Sequence, residues 1–317
     1  MDWYPGGLDD DLRPHISECL AKSEPFALVT IAAATGGPRP AGAQMLVTSA
    51  TRFGFLSGGC VEDDVTLHAR AVLAEGTPRW LTYGAGSPFI DMRLACGGRI
   101  DLLVERIRPG DAAAIAIVEA WHRRRAIGYF SDGIRRWCVD ADRIDDVGGE
   151  AKPLARYQPA QRLIIVGRDA FALALAEQGL LLRWRVTLID PSGRPERPPV
   201  FGARDLDYMR CNVAEALERL SPDGFTAIAI MTHDEDADHK ALLTALAAAP
   251  GYIGILGSRR RSAKRADRLK AAGIEARAIA SLRAPIGLAI GAASPREVAL
   301  AVAAQIVATR RAAGWRA

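Results

Sequence analysis

Hydrophobic and polar positions follow two rhythms along this chain, and the change falls near its middle. Residues 9–22 carry apolar positions at helical spacing, and residues 26–33 form an apolar, β-rich run that reads as a strand. Thr35-Gly36-Gly37-Pro38-Arg39-Pro40 is a loop by its glycine and proline content. Residues 45–48 and 53–56 read as the next strands. Residues 61–75 have helical spacing with acids in the first turn. Strands follow at 79–82 and 100–104, then a helix at 111–124. Runs at 126–130 and 134–139 flank Ser131-Asp132-Gly133, a hairpin signal. Residues 145–159 hold Gly148-Gly149, charges and little periodicity, and read as a linker.

Beyond the linker the apolar runs become continuous. Strands are expected at 162–166, 185–189, 226–231 and 252–256. Helices are expected at 169–182, 238–249, 260–272 and 294–310, with Pro295 suited to a first helical position. Strands alternating with helices of this length imply parallel βαβ units. The expectation is an α/β chain of two domains. Residues 1–150 form a mixed α/β cysteine-containing domain and residues 151–317 a Rossmann-like parallel sheet.

Composition changes this picture little. The 317 residues are 49% hydrophobic and 25% charged, ordinary for a globular protein that can bury its own core. A net charge of +4, with both signs interspersed, does not point to nucleic acid, and the stacking aromatics of such proteins are missing. No apolar run approaches the ~20 residues that span a bilayer, and Met1-Asp2-Trp3-Tyr4-Pro5 does not read as a signal peptide. The expected setting is therefore the cytoplasm, with no membrane partner and with Cys19, Cys60, Cys96, Cys138 and Cys211 as thiols. No Cys-x-x-Cys pair suggests a structural zinc site.

Two cysteines stand beside paired glycines. Ser57-Gly58-Gly59-Cys60-Val61-Glu62 lies between a strand and a helix. Its glycines allow a sharp turn and close approach to a ligand. Cys60 falls near a helix N-terminus, which favours thiolate, while Glu62, Asp63 and Asp64 oppose that effect. Cys96-Gly97-Gly98-Arg99 is nearly its mirror, with backbone N–H groups and a guanidinium suited to an anion such as phosphate. Cys19, Cys138 and Cys211 lack this context and are read as small buried hydrophobes.

The second half departs from a dinucleotide fingerprint. Its first strand–helix turn, Val166-Gly167-Arg168-Asp169-Ala170-Phe171-Ala172, keeps only the first glycine. Asp169 places a negative charge where pyrophosphate would sit, so NAD(P) is not expected. Asp190, His233 with Asp234, and Gly257-Ser258-Arg259 fall at carboxyl ends of strands, where open α/β sheets bind ligands. Gly257-Ser258-Arg259 is a candidate anion site or an ordinary helix start. The oxygen-rich run from Thr232 to Asp238 suits Mg²⁺, or else Asp236 or Asp238 caps the following helix.

Taken in order, Ser57-Gly58-Gly59-Cys60-Val61-Glu62, Cys96-Gly97-Gly98, Thr232-His233-Asp234, Leu256-Gly257-Ser258-Arg259-Arg260 and Pro285-Ile286-Gly287-Leu288 resemble the XdhC/CoxI family of molybdenum-enzyme accessory factors. The resemblance implies a chaperone for the molybdenum cofactor (molybdopterin) rather than a catalyst. It also implies a homodimer, a cysteine desulfurase partner that supports sulfuration, and delivery to a xanthine-dehydrogenase-like apoenzyme. On this reading Cys60 is the thiolate that holds molybdenum or its sulfur, since thiolates are soft ligands. Gly58 and Gly59 flank it, Glu62 orients it or accepts a proton, and Cys96, Gly97 and Gly98 form the opposing wall. A second ligand site would comprise Gly167, Asp190, His233, Asp234, Gly257, Ser258 and Arg259. The alternative is an NAD(P)-dependent oxidoreductase using the Rossmann-like half.

Overall fold

The computed structural model describes residues 10–37, 39–87, 94, 97–147, 152–232 and 234–312. It divides into two compact units, 1–159 and 160–316. Cys96 and His233 lie outside the described residues.

In the first unit, helix α1 (Arg13–Ala21) leads into strands β1 (Phe26–Thr35), β2 (Gln44–Val47) and β3 (Arg52–Gly54), then helix α2 (Glu62–Glu75). Strands β4 (Arg79–Gly84) and β5 (Arg99–Ile107) complete an antiparallel sheet in the order β3-β2-β1-β5-β4. The central strand β1 is buried from Phe26 through Ile31, so both of its faces are covered. Ala27, Val29 and Ile31 meet Val65, Ala69 and Val72 of α2. Phe26 and Leu28 meet Ile16 of α1 and Ile117 of helix α3 (Ala112–His122). This explains an apolar run with no alternation.

A second, smaller sheet joins β6 (Ile127–Ser131) to β7 (Arg136–Asp140) on one side and β8 (Ala155–Tyr157) on the other. The stretch expected to be a featureless linker therefore contributes a strand. Three residues are too few to show periodicity, but Ala155 is buried in the same core as Ile127 and Tyr129.

The second unit is a five-stranded sheet, ordered β11 (Leu206–Met209), β10 (Arg185–Ile189), β9 (Arg162–Val166), β12 (Thr226–Ile230), β13 (Tyr252–Ile255). All four pairings are parallel. Leu163 and Ile165 of β9 pack against helices α4 (Ala170–Leu181) and α9 (Pro295–Ala312). Ile164 and Val166 face α5 (Val213–Leu220), α6 (Glu235–Ala247) and α7 (Arg259–Ala271). The short helix α8 (Ala276–Ser281) follows α7. This is the expected α/β architecture with a Rossmann-type sheet. No helix among the described residues is long and apolar enough to cross a membrane.

Candidate functional site

Strand direction gathers three loops of the first unit. Thr35 at the end of β1 and Gly84 at the end of β4 both pair with Arg99, the first residue of β5. Gly54 at the end of β3 pairs with Met45 near the start of β2. The β1–β2 turn, the Cys60 loop and the segment entering β5 consequently leave the sheet at one end. Arg39 of the β1–β2 turn stacks on Phe55 at 4.2 Å, tying that turn to the chain just ahead of Ser57.

The Cys60 loop is organised around a carboxylate. Glu62 is 2% exposed, and its side chain turns back into its own loop. Its Oε1 accepts the N–H groups of Leu56 (2.9 Å), Ser57 (2.6 Å) and Gly58 (3.0 Å). Its Oε2 accepts the Ser57 hydroxyl (2.7 Å) and the N–H groups of Gly59 (2.8 Å) and Val61 (3.2 Å). The Ser57 Oγ in turn accepts the N–H of Cys60 at 2.9 Å. Burial pushes the Glu62 carboxyl up, but the hydrogen bonds from Ser57 and Leu56 outweigh it and hold the group at about 2, against an ordinary 4.5.

This geometry gives each residue of the loop a local role. Glu62 orients the loop: both of its oxygens are occupied by the loop's own N–H and hydroxyl donors, and its depressed pKa makes it a weak base. The N–H groups of Gly58 and Gly59 bind Glu62. Both glycines have positive φ, 88° and 118°, and a side chain at either would meet open space. They are needed for the turn, not for close packing. Ser57, absent from the expected site, is the second organiser, and its position five residues ahead of the first residue of α2 was the available signal.

What the loop presents outward is Cys60, exposed and immediately before Val61, the N-cap of α2. The other described cysteines differ. Burial pushes the thiol of Cys19 up to about 11 and that of Cys138 up to about 12, and Cys211 is also raised by burial. Cys60 is thus the accessible soft ligand or nucleophile of this group.

The two glycines before β5 have different roles. Gly97 is exposed at φ 68°, and its N–H bonds the carbonyl of Leu94 at 2.8 Å. Gly98 is buried, and a Cβ there would fall 2.5 Å from the backbone of Gly36. Its glycine is required by backbone crossing rather than by a guest. Arg99 pairs with Asp101 at 2.9 Å on the same strand.

In the second unit, Gly167 lets β9 pass close to β12: a Cβ would lie 2.7 Å from the Met231 carbonyl oxygen. Asp169 caps α4 through the Ala172 N–H at 2.8 Å, so a carboxylate occupies the helix end where a dinucleotide phosphate would bind. Asp190 is 8% exposed and accepts the Ser192 N–H at 3.2 Å, which stabilises its own turn. Asp234 caps α6 through Asp236 and Ala237, so neither Asp236 nor Asp238 is the cap and the helix begins three residues earlier than expected. Asp238 is buried against Arg265 at 2.7 Å, and Asp236 pairs with Arg268 at 2.9 Å. The run's carboxylates are therefore engaged in caps and ion pairs, and no group of three metal-ligating side chains occurs among the described residues. Ser258 caps α7, whose first residue is Arg259.

The first unit holds an exposed thiol on a preformed loop, and the second is an α/β domain with a Rossmann-type parallel sheet. Residues 163–306 match the XdhC Rossmann domain, and residues 19–84 match the XdhC and CoxI family. The chain belongs to that family. It is 29% identical over 309 residues to the molybdenum cofactor insertion chaperone PaoD of Escherichia coli, covering 96% of this chain and 90% of that protein. It is 26% identical over 328 residues to a Bacillus subtilis protein named as a probable xanthine dehydrogenase component, covering 92% and 95%. A crystal structure described as a xanthine dehydrogenase from Bacillus halodurans superposes with a TM-score of 0.75 at 24% identity, covering 95% and 96%, a likeness of fold.

Proposed function

We propose that this chain is a cytoplasmic chaperone that takes molybdenum cofactor as cargo, protects it while it is sulfurated, and delivers it to a xanthine-dehydrogenase-like apoenzyme. The carrying observation is the exposed Cys60 on a loop that Glu62 and Ser57 preorganise without any guest. A thiolate is a soft ligand that suits molybdenum or its terminal sulfur. The similarity to a molybdenum cofactor insertion chaperone over 96% of the chain supports the same cargo. The loop's N–H groups are consumed internally, so the cofactor's phosphate is held elsewhere. Cys96, Gly97 and Gly98 remain the proposed opposite wall. A cysteine desulfurase supplies the sulfur, and the working form is a homodimer.

Purified full-length protein is expected to retain molybdopterin, read as its fluorescent oxidised derivative, and Cys60→Ser to lose most of it. Equal retention by the substituted protein would overturn the thiolate role. Delivery is checked by activation of a xanthine-dehydrogenase-type apoenzyme, with and without a cysteine desulfurase and cysteine.

A further inference from the structure

Helix α7 starts with charge of the wrong sign. The N-terminus of a helix is its positive end and favours acids. Helix α2 obeys this with Glu62, Asp63 and Asp64, and α6 with Glu235, Asp236 and Asp238. Helix α7 opens instead with Arg259, Arg260 and Arg261 and has no acid in its first turn. Arg261 lies 3.6 Å from Glu235, whereas Arg259 and Arg260 are exposed and form no ion pair among the described residues.

A fourth guanidinium lies beneath the same turn. Arg265 is 7% exposed, and its Nη2 donates to Asp238 Oδ2 at 2.7 Å. The other oxygen of Asp238 accepts the Thr232 hydroxyl at 2.5 Å. Nη1 of Arg265 is buried and has no hydrogen-bond acceptor among the described residues. Helical side chains lean toward the N-terminus, and this one reaches back until Nη1 lies 3.1 Å from where a Cβ on Gly257 would be. Glycine at 257 leaves no side chain between that donor and the turn. A buried guanidinium donor without an acceptor is rare and unfavourable.

Four arginines therefore lie within the first two turns of α7: Arg261 faces Glu235, Arg265 faces Asp238, and the neighbouring Asp236 pairs with Arg268, which leaves Arg259 and Arg260 without an ion-paired acid among the described residues. The Gly257–Ser258 turn lies at the carboxyl end of β13. It is beside β12, which with β9 forms the point where strand order reverses. We propose that the Gly257–Ser258 turn, the first N–H groups of α7, Arg259, Arg260 and the buried Arg265 form a binding site for a small molecule carrying a phosphate or diphosphate. A phosphate supplies two negative charges and several acceptor oxygens, which matches this donor set. The site is independent of Cys60.

The test is calorimetric titration of the full chain with sodium pyrophosphate and, separately, with ADP. Saturable one-to-one binding is expected, weakened about tenfold or more in an R259E/R260E double variant. Both substituted residues are exposed, so the fold should survive, and circular dichroism checks this. Arg265→Lys, which keeps the charge and loses Nη1, is expected to weaken binding several-fold. ADP binding more tightly than pyrophosphate would identify a nucleotide ligand. Equal binding, with molybdopterin retention falling in the R259E/R260E variant, would identify the cofactor's own phosphate. Cys60→Ser should bind pyrophosphate like the parent, so this site and the thiolate role fail separately. No saturable binding in the millimolar range, or equal binding by parent and R259E/R260E, would overturn the proposal.

Discussion

Six donors surround the two oxygens of Glu62, and five of them are backbone N–H groups of its own loop. Such an arrangement fixes a negative charge inside the turn and releases Cys60 from any structural duty. A carboxyl at about 2 in the fold and near 4.5 when unfolded contributes ~3 kcal/mol. Because the folded value is depressed, that contribution is complete above pH ~5 and fades as pH falls toward 2. Glu62→Gln is expected to cost ~2–3 kcal/mol at neutral pH, since the amide sets its NH₂ against N–H donors. Urea unfolding at pH 7 and pH 3 should show the difference between parent and variant shrinking on acidification. A constant difference would mean that the charge is not what holds the loop. Cys60 itself should be the first of Cys19, Cys60, Cys138 and Cys211 to be alkylated by iodoacetamide at neutral pH. Peptide mapping checks the order, and faster labelling of Cys19 or Cys138 would contradict their raised thiols.

At the scale of elements, glycine context singled out two loops, and the structure gives the glycines of each a local reason. Paired glycines beside a cysteine are equally compatible with a ligand cradle, an internal carboxylate nest and a backbone crossing, and only tertiary contacts separate the three. Gly97 and Gly98 make the contrast measurable. Gly97→Ala meets open space and carries only the ~1 kcal/mol of a left-handed residue. Gly98→Ala forces a Cβ against the Gly36 backbone and is expected to cost at least ~2–3 kcal/mol. Thermal unfolding of the two variants should rank Gly98→Ala as clearly the worse, even though only Gly97 has a positive φ. The long apolar strands β1, β9, β10 and β12 were readable because both faces are covered. β11, α5 and α8 escaped notice, being four, eight and six residues long. The start of α6 was misplaced because Asp234, Asp236 and Asp238 are all chemically fit to cap it, and backbone geometry alone chooses. Arg265 carried no sequence signal as a buried residue, since it sits in a helix that reads as a basic solvated face.

At the scale of the molecule, each unit encloses its own core, and the division falls at 159/160, whereas the sequence suggested 150/151. Residues 152–159 belong physically to the first unit. Leu154 N–H donates to the Tyr129 carbonyl at 2.7 Å, and the Tyr157 hydroxyl donates to Gln44 at 2.6 Å. Arg13 of α1 reaches the Gln158 carbonyl at 2.5 Å. Cutting after residue 150 would remove β8 from its sheet and expose the buried Ile127 and Tyr129 beside it. A fragment of residues 1–159 is expected to unfold cooperatively by itself, as is one of residues 160–316. Loss of the packing of Leu154, Ala155 and Tyr157 should then lower the melting temperature of a 1–150 fragment by about 10 °C or more, from several kcal/mol of forfeited burial. Circular dichroism melts of the three fragments test this. If 1–150 and 1–159 melt alike, β8 contributes nothing to the first unit, and the boundary read from composition describes the molecule better than the one read from packing.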